Sequence, residues 1–518
     1  MDRTAPAELF DLPRQGRRRF LKQIATTGAA AAAAAAGAAD AALPAFAQEK
    51  PQQPAAQGAP ADQPLVAETL ARYATSVKYE DLPPDVVRVA KRIIIDSIGC
   101  GIGAFSAETS QIANKLAAGV SAVRGATVMC SGVKTSPELA VFANGTMIRY
   151  LDFNDGYVSL ASGHPSDTIA SVLSTAELMG RSGRDLIMGT VLAYEVFCRV
   201  LDVFDSRPLG LDAATVIGLA ATAAGGRMMG LTQQELVHAI GIYVVGGTTI
   251  NQTRVGTLSN WKACASAESS RNAIFAVQLA QAGMTGPNEV FEGRDGFFNQ
   301  VAHKTFRLPK LAGAGSGTDD FGMMRTFMKR FTLGQYAQTV AQAAVEARAY
   351  AADPSEIAEV NIHVSRTAIH IMADSPDKWH PRTHETADHS MPYAAAVALM
   401  YGTVEEQYYE DPYLHDARLL DLVGRVRCLP SEEADRVERE MNLCNLEIVL
   451  KSGQRKNVRV EYHRGHWKNP MTDAEVEEKF RSLAKKQLRP AQTDDLLRQL
   501  WALEGVPQAG AILAATRA

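Results

Sequence analysis

The chain has 518 residues, 46% of them hydrophobic and 21% charged, with a formal net charge of -4. It is too long for one ordinary domain and too apolar for a disordered chain, so two domains plus extensions are expected. Outside the N-terminus no basic run alternates with aromatics, which excludes a nucleic-acid partner, and the six scattered cysteines lack the short spacings of a zinc or iron–sulfur site.

In chain order, Arg17-Arg18-Arg19-Phe20-Leu21-Lys22 precedes an alanine-rich apolar stretch over 24–39, followed by Leu43-Pro44-Ala45-Phe46-Ala47 as a small-x-small cleavage site. The pattern resembles a twin-arginine signal, and the stretch is too short and too weakly apolar for stable membrane insertion. Residues 1–47 are therefore expected to address the protein to the periplasm through the twin-arginine translocation machinery. Residues 48–64, rich in Pro, Gln and Ala, read as a flexible linker.

From 65 to 326 the apolar residues recur at helical spacing, as with Val89, Ile93 and Ile94, and the alanine-rich segment Ala213 to Met229 suits close helix packing. Over 327–468 the pattern changes. Ile357, Val360, Ile362 and Val364 mark one strand, and two β-rich runs flank Ser452-Gly453. A smaller α+β domain is predicted there, followed over 469–518 by helices, the first opened by a capping box at Thr472-Asp473-Ala474-Glu475. The fold class is thus mainly α.

Four strings could carry chemistry. In the first, Asp152 and Asp155 precede Gly163-His164-Pro165-Ser166-Asp167. Pro165 suits a first helical turn, placing His164 at the N-cap beside free N–H groups that could hold a substrate carboxylate; ordinary caps and a surface histidine are the alternative. In the second, Lys262 follows Trp261 at the mouth of an apolar helix. There it could be desolvated for proton transfer or carboxylate binding, or could lay its stem on the tryptophan. The third, Trp379 to Tyr393, holds three histidines, an arginine and two acids: His380, His384, His389, Arg382, Glu385 and Asp388. Its spacing matches no HExxH or compact metal site, so no metal ligands are assigned; an anion-binding loop using Arg382 and His389 fits better. The fourth, Gly283-Met284-Thr285-Gly286-Pro287, reads as a structural turn and lacks phosphate-loop spacing.

The strings KTSPELAVFANG, RYLDFND, GHPSD, GTLSNWKACA, ESSRNAIFA, GMTGPNEVFEG and HETADHSMPYAAAVAL, in this order over roughly residues 66 to 480, resemble the MmgE/PrpD family and most of all its 2-methylcitrate dehydratase branch. The resemblance implies a large helical domain completed by the returning C-terminus, and a smaller α+β lid domain over a cleft. It also implies a homodimer without cofactor, acting on a small polycarboxylate. Asp152, His164 and Lys262 then become the catalytic candidates, with Asp155, Tyr157, Arg382, His389 and Tyr336 at the substrate. Dehydration of a 2-methylcitrate-like acid is the leading expectation. Epimerisation or decarboxylation on the same fold, or carboxylate binding without catalysis, are the alternatives.

Three positions depart from the family pattern. Gly156 stands where relatives carry threonine, Ala213 where the branch reads histidine, and Tyr336 lies where a histidine is common.

Overall fold

The computed structural model describes residues 64–313, 318–351 and 353–518. The expected signal, 1–47, and residues 48–63 of the expected linker lie outside the described residues. The described chain is mainly α, with a smaller α+β part, as its patterning predicts.

The helical part is built on α1 (Val66–Ser76), α2 (Pro84–Gly103), α3 (Glu108–Ala118), α4 (Pro137–Tyr150), α5 (Ile169–Leu178), α6 (Gly183–Leu201), α7 (Ala214–Met229), α8 (Gln233–Gly246) and α9 (Trp261–Gln281). Pro84 and Pro137 open α2 and α4 at positions where no N–H is needed, and Ser182 and Thr232 cap α6 and α8 through complete capping boxes. Small residues set the helix spacing: a Cβ on Gly145 would stand 3.0 Å from that of Ala267. Helices α4 and α9 therefore cross closely, which brings the end of α4, with Arg149, to the start of α9, with Lys262. Among the described residues no helix is long and apolar enough to cross a membrane.

The α+β part holds a four-stranded sheet. The short ladders β1 (Ala126–Thr127) with β2 (Lys134–Thr135), and β3 (Tyr157–Val158) with β4 (Ser162–Gly163), precede it in the helical part. The sheet comprises β5 (Ile357–Val364), β6 (Val426–Pro430), β7 (Cys444–Leu450) and β8 (Arg455–Val460) in the order β6-β5-β7-β8, parallel between β5 and β6 and antiparallel elsewhere. A register shift between Ile357 and Glu359 explains how Ile357 joins Val360, Ile362 and Val364 in the core despite its odd offset. Helices α10 (Gln338–Ala347) and α11 (Met391–Tyr401) share this core.

The chain then returns: α12 (Asp473–Ala484) lies on α2, where Gly99 and Gly103 leave room for Phe480 and Leu483. Lys479 on α12 pairs with buried Asp96 at 2.6 Å and donates to the carbonyls of Phe153 at 2.7 Å and Lys329 at 2.9 Å. The joint between the two parts is a backbone pair of Gly156 with Phe327, followed by a Met328 N–H bond to the Gly465 carbonyl.

Candidate active site

Asp152 follows the last turn of α4 with φ near +47°, a left-handed conformation that aspartate tolerates better than most residues. Its fully buried carboxylate meets four cationic or donor groups. Arg149 lies 2.8 Å away, Lys329 pairs with the same Oδ1, Lys262 Nζ is 3.3 Å from Oδ2, and His389 Nδ1 is 3.0 Å from Oδ2. Asp388, also fully buried, receives Lys262 at 2.6 and 2.5 Å and His389 Nδ1 at 3.0 Å. Lys262 and His389 thus each bridge the same two carboxylates. Burial alone would raise the Asp152 pKa, but Arg149, Lys329, Lys262 and His389 hold it well below the carboxylate range. Burial raises the Asp388 pKa too, but Lys262 and His389 together hold it below its ordinary value. Burial and Lys262 push His389 down to about 4 against the pull of Asp152 and Asp388, so the imidazole is neutral at pH 7.

Ligand atoms of Asp152, Asp388 and His389 lie within 4.8 Å of one another. The Lys262 ammonium already occupies the space between the two carboxylates, and Arg149 and Lys329 add further positive charge. The cluster is internally compensated and gives an incoming cation no net attraction.

His164 is the N-cap of a 3₁₀ turn, Pro165–Thr168, that leads into α5. The carboxyl at this helix start is the protein's own: Asp155 Oδ1 accepts the Ser166 N–H at 3.1 Å, and Oδ2 accepts the Tyr194 hydroxyl at 2.7 Å. His164 Nδ1 donates to the Asp155 carbonyl at 2.6 Å, which orients the ring. Burial, then Arg149 and Lys329, keep this imidazole well below its ordinary pKa and hence neutral.

Burial also pushes the Asp155 carboxyl up to about 7. Its stabilising protonated form is fully present below the unfolded pKa near 4 and is lost as pH rises through 7. Asp155→Asn stays neutral at every pH. Relative to wild type it gains about 3 kcal/mol of stability between pH 5 and pH 8. Urea denaturation at the two pH values checks this; equal differences would place the Asp155 pKa in the ordinary range.

A cavity of about 480 Å³ opens between the two parts of the fold. Arg149, His164 and Asp167 line it from the helical side, His389 and Tyr336 from the other, with Arg207 and Arg254 on its walls. Among the described residues neither imidazole makes a protein hydrogen bond through Nε2. Tyr336 reaches Ser162 Oγ at 3.3 Å and receives Arg207 at 3.4 Å. Arg254 is fixed by Asp212 at 2.9 Å and by the Lys262 carbonyl at 2.7 Å.

The structure thus gathers Asp152, Lys262 and His389 into one cluster and sets His164 and Tyr336 on the same cavity. Asp155 sits one layer behind His164. Tyr157 is buried away from the cavity with its hydroxyl on Asp202 at 2.6 Å. Arg382 is exposed, outside both cluster and cavity, because Thr383 caps the short helix His384–Ala387 and turns the preceding residue outward. At Gly156, the room for a threonine is taken: a Cβ there would meet Phe327 Cζ at 2.4 Å and Gln335 Oε1 at 2.8 Å.

Sequence reading missed Arg149, Lys329, Asp388, Arg207 and Arg254 as functional groups. Arg149 precedes Asp152 by three residues at a helix end, and Asp388 adjoins His389, so both had a local signal. Lys329 lies 177 residues from Asp152 and had none.

A closed acid–base cluster facing a cavity with arginines on its walls, between two parts of a mainly helical fold, defines an enzyme, not a bare scaffold. The sequence matches the MmgE/PrpD N-terminal domain over residues 68–308 and the MmgE/PrpD C-terminal domain over residues 331–503, and the chain belongs to this family. It is similar to the 2-methylcitrate dehydratase of Cupriavidus necator, 28% identical over 473 residues, covering 86% of this chain and 94% of that one. The 2-methylcitrate dehydratase of Salmonella typhimurium is 26% identical over 419 residues, covering 75% and 84%. The cis-aconitate decarboxylase of Homo sapiens is 25% identical over 456 residues, covering 85% and 92%. These relatives place the enzyme among the dehydratase-like lyases.

Proposed function

We propose that the enzyme removes water from a small hydroxy polycarboxylate resembling 2-methylcitrate, by taking a proton from the carbon next to a carboxylate. The carrying observation is His389, whose Nδ1 is directed at both Asp152 and Asp388 while Nε2 stays without a protein partner on a cavity walled by Arg149, Arg207 and Arg254. A neutral ring held this way offers Nε2 as the lone-pair nitrogen, and the imidazolium formed on proton uptake lies between two carboxylates. The C–H electron pair becomes the new double bond, the C–O bond breaks, and the leaving hydroxide takes the Tyr336 proton to depart as water. Arg207 beside Tyr336 stabilises the phenolate until solvent reprotonates it. The cavity arginines hold the carboxylates and spread the charge that builds during proton removal.

A second reading, decarboxylation, draws support from the similarity to the human cis-aconitate decarboxylase over 85% of this chain. A proton NMR time course in deuterated water with a parallel carbon dioxide assay, on a panel of hydroxy tricarboxylates and their unsaturated counterparts with a His389→Asn control, separates the two. A conjugated alkene formed by wild type and not by the variant supports dehydration. Carbon dioxide release from an unsaturated acid, with no water lost from any hydroxy acid, moves the assignment to decarboxylation. Deuterium exchange without an alkene removes both.

A further inference from the structure

The cavity is not charged throughout. Ile217 of α7 lies three residues after Ala214 and four after the N-cap residue Ala213, so it neighbours both on the helix surface. All three line the cavity, and so does Val255. From the α+β side Ile371 and Met372 line it as well. This apolar surface runs up to both imidazoles. Ala213 packs against Gly163, the neighbour of His164, where a Cβ on the glycine would stand 2.9 Å from the alanine methyl. Met372 packs against Gly334, where a Cβ would lie 2.7 Å from its Cε and 3.5 Å from His389 Cε1. On the helical side the carboxylate beside this wall is engaged: Asp212 accepts Arg254 at 2.9 Å and the Ala214 N–H at 2.8 Å. A substrate made of carboxylates and hydroxyls alone would leave these hydrocarbon groups against its polar atoms and would gain nothing from them.

We propose that the natural substrate carries, besides its carboxylates, an unbranched alkyl chain longer than a methyl group, lying against Ala213, Ala214, Ile217, Val255, Ile371 and Met372. This rests on the dehydration reading above and names its substrate class. The arginines and imidazoles hold the carboxylates at one end. The chain extends from the reacting carbon along the apolar wall, where each methylene leaves water.

The test is a series of 2-alkylcitrates with hydrogen, methyl, propyl and pentyl substituents, assayed with the full-length protein. The expected result is a rise in kcat/KM from methyl to propyl of about fourfold per added methylene. Ile371→Trp fills the wall from a half-buried position and reverses that preference, with methyl becoming better than propyl. Ile217→Trp does the same from the opposite wall, so misfolding of one variant leaves the other informative. A kcat/KM that falls steadily from hydrogen to pentyl overturns the inference while leaving dehydration intact. An unchanged chain-length preference in both folded variants also overturns it. If no homologue of any length reacts with the wild type, the dehydration reading itself fails and this inference falls with it.

Discussion

Lys262→Met lowers kcat/KM at pH 7 by about a thousandfold, the scale on which removing one fixed charge from a preorganised site acts. The methionine matches the lysine stem in length, so packing against the neighbouring helices is retained. What disappears is the ammonium between Asp152 and Asp388. Lys262 is also one of the two influences, with burial, that keep His389 near a pKa of 4. Without it, burial alone opposes the two carboxylates, and the imidazole pKa rises. A group whose pKa rises loses its base form at every pH below the new value. The acid limb of the pH–kcat/KM profile therefore moves upward toward neutrality, and activity partly returns at pH 9. Stability changes less than activity, because the new imidazolium replaces part of the lost charge. A variant within tenfold of wild type at pH 7, with an unshifted profile, would show that His389 is not the base.

How much of this was legible in the sequence depends on the range over which each signal acts. Helix spacing, proline starts, the Thr472 capping box and the change of pattern past 330 are local, and they gave the mainly helical class and the α+β part directly. His164, Lys262 and His389 stood in distinctive strings and fell on or beside one cavity. Arg382 stood in an equally charged string and did not, because charge density along a chain says nothing about which way a capped turn faces its side chains. The two-residue ladders at Ala126 and Tyr157 carry too few residues for an alternation to show. At Gly156 the sequence displays only the missing threonine. The reason, the ring of Phe327 filling that space, comes from a segment 171 residues away and needs the folded chain.

The same distance hides Lys329, whose replacement by methionine destabilises the fold by about 3–5 kcal/mol, the cost of breaking a buried pair from one side. Its ammonium is wholly enclosed, pairs with Asp152 Oδ1 and donates to the Asp152 carbonyl at 2.9 Å. Burial already lowers its pKa to about 8, so the pair is held in a weakly solvated setting where each charge depends on its partner. Lys329 also lies at a crossing: its own carbonyl accepts Lys479, which pairs with Asp96, so one chain of contacts ties α2, the end of α4, the joint between the two parts and α12. Methionine leaves the carbonyl contact in place and removes only the charge, which makes the variant a clean measure of the pairing. Adding Asp152→Asn to Lys329→Met then recovers much of the loss. Asparagine accepts the left-handed backbone at position 152 and leaves no carboxylate there for Lys329 to compensate, while Lys262 keeps Asp388 and Arg149 keeps Asp167 at 3.9 Å. Urea denaturation of the wild type, both single variants and the double variant gives the coupling energy. Additive losses would trace the role of Lys329 to the packing of its stem, and the Asp152 cluster would then owe its charge balance to Arg149 and Lys262 alone.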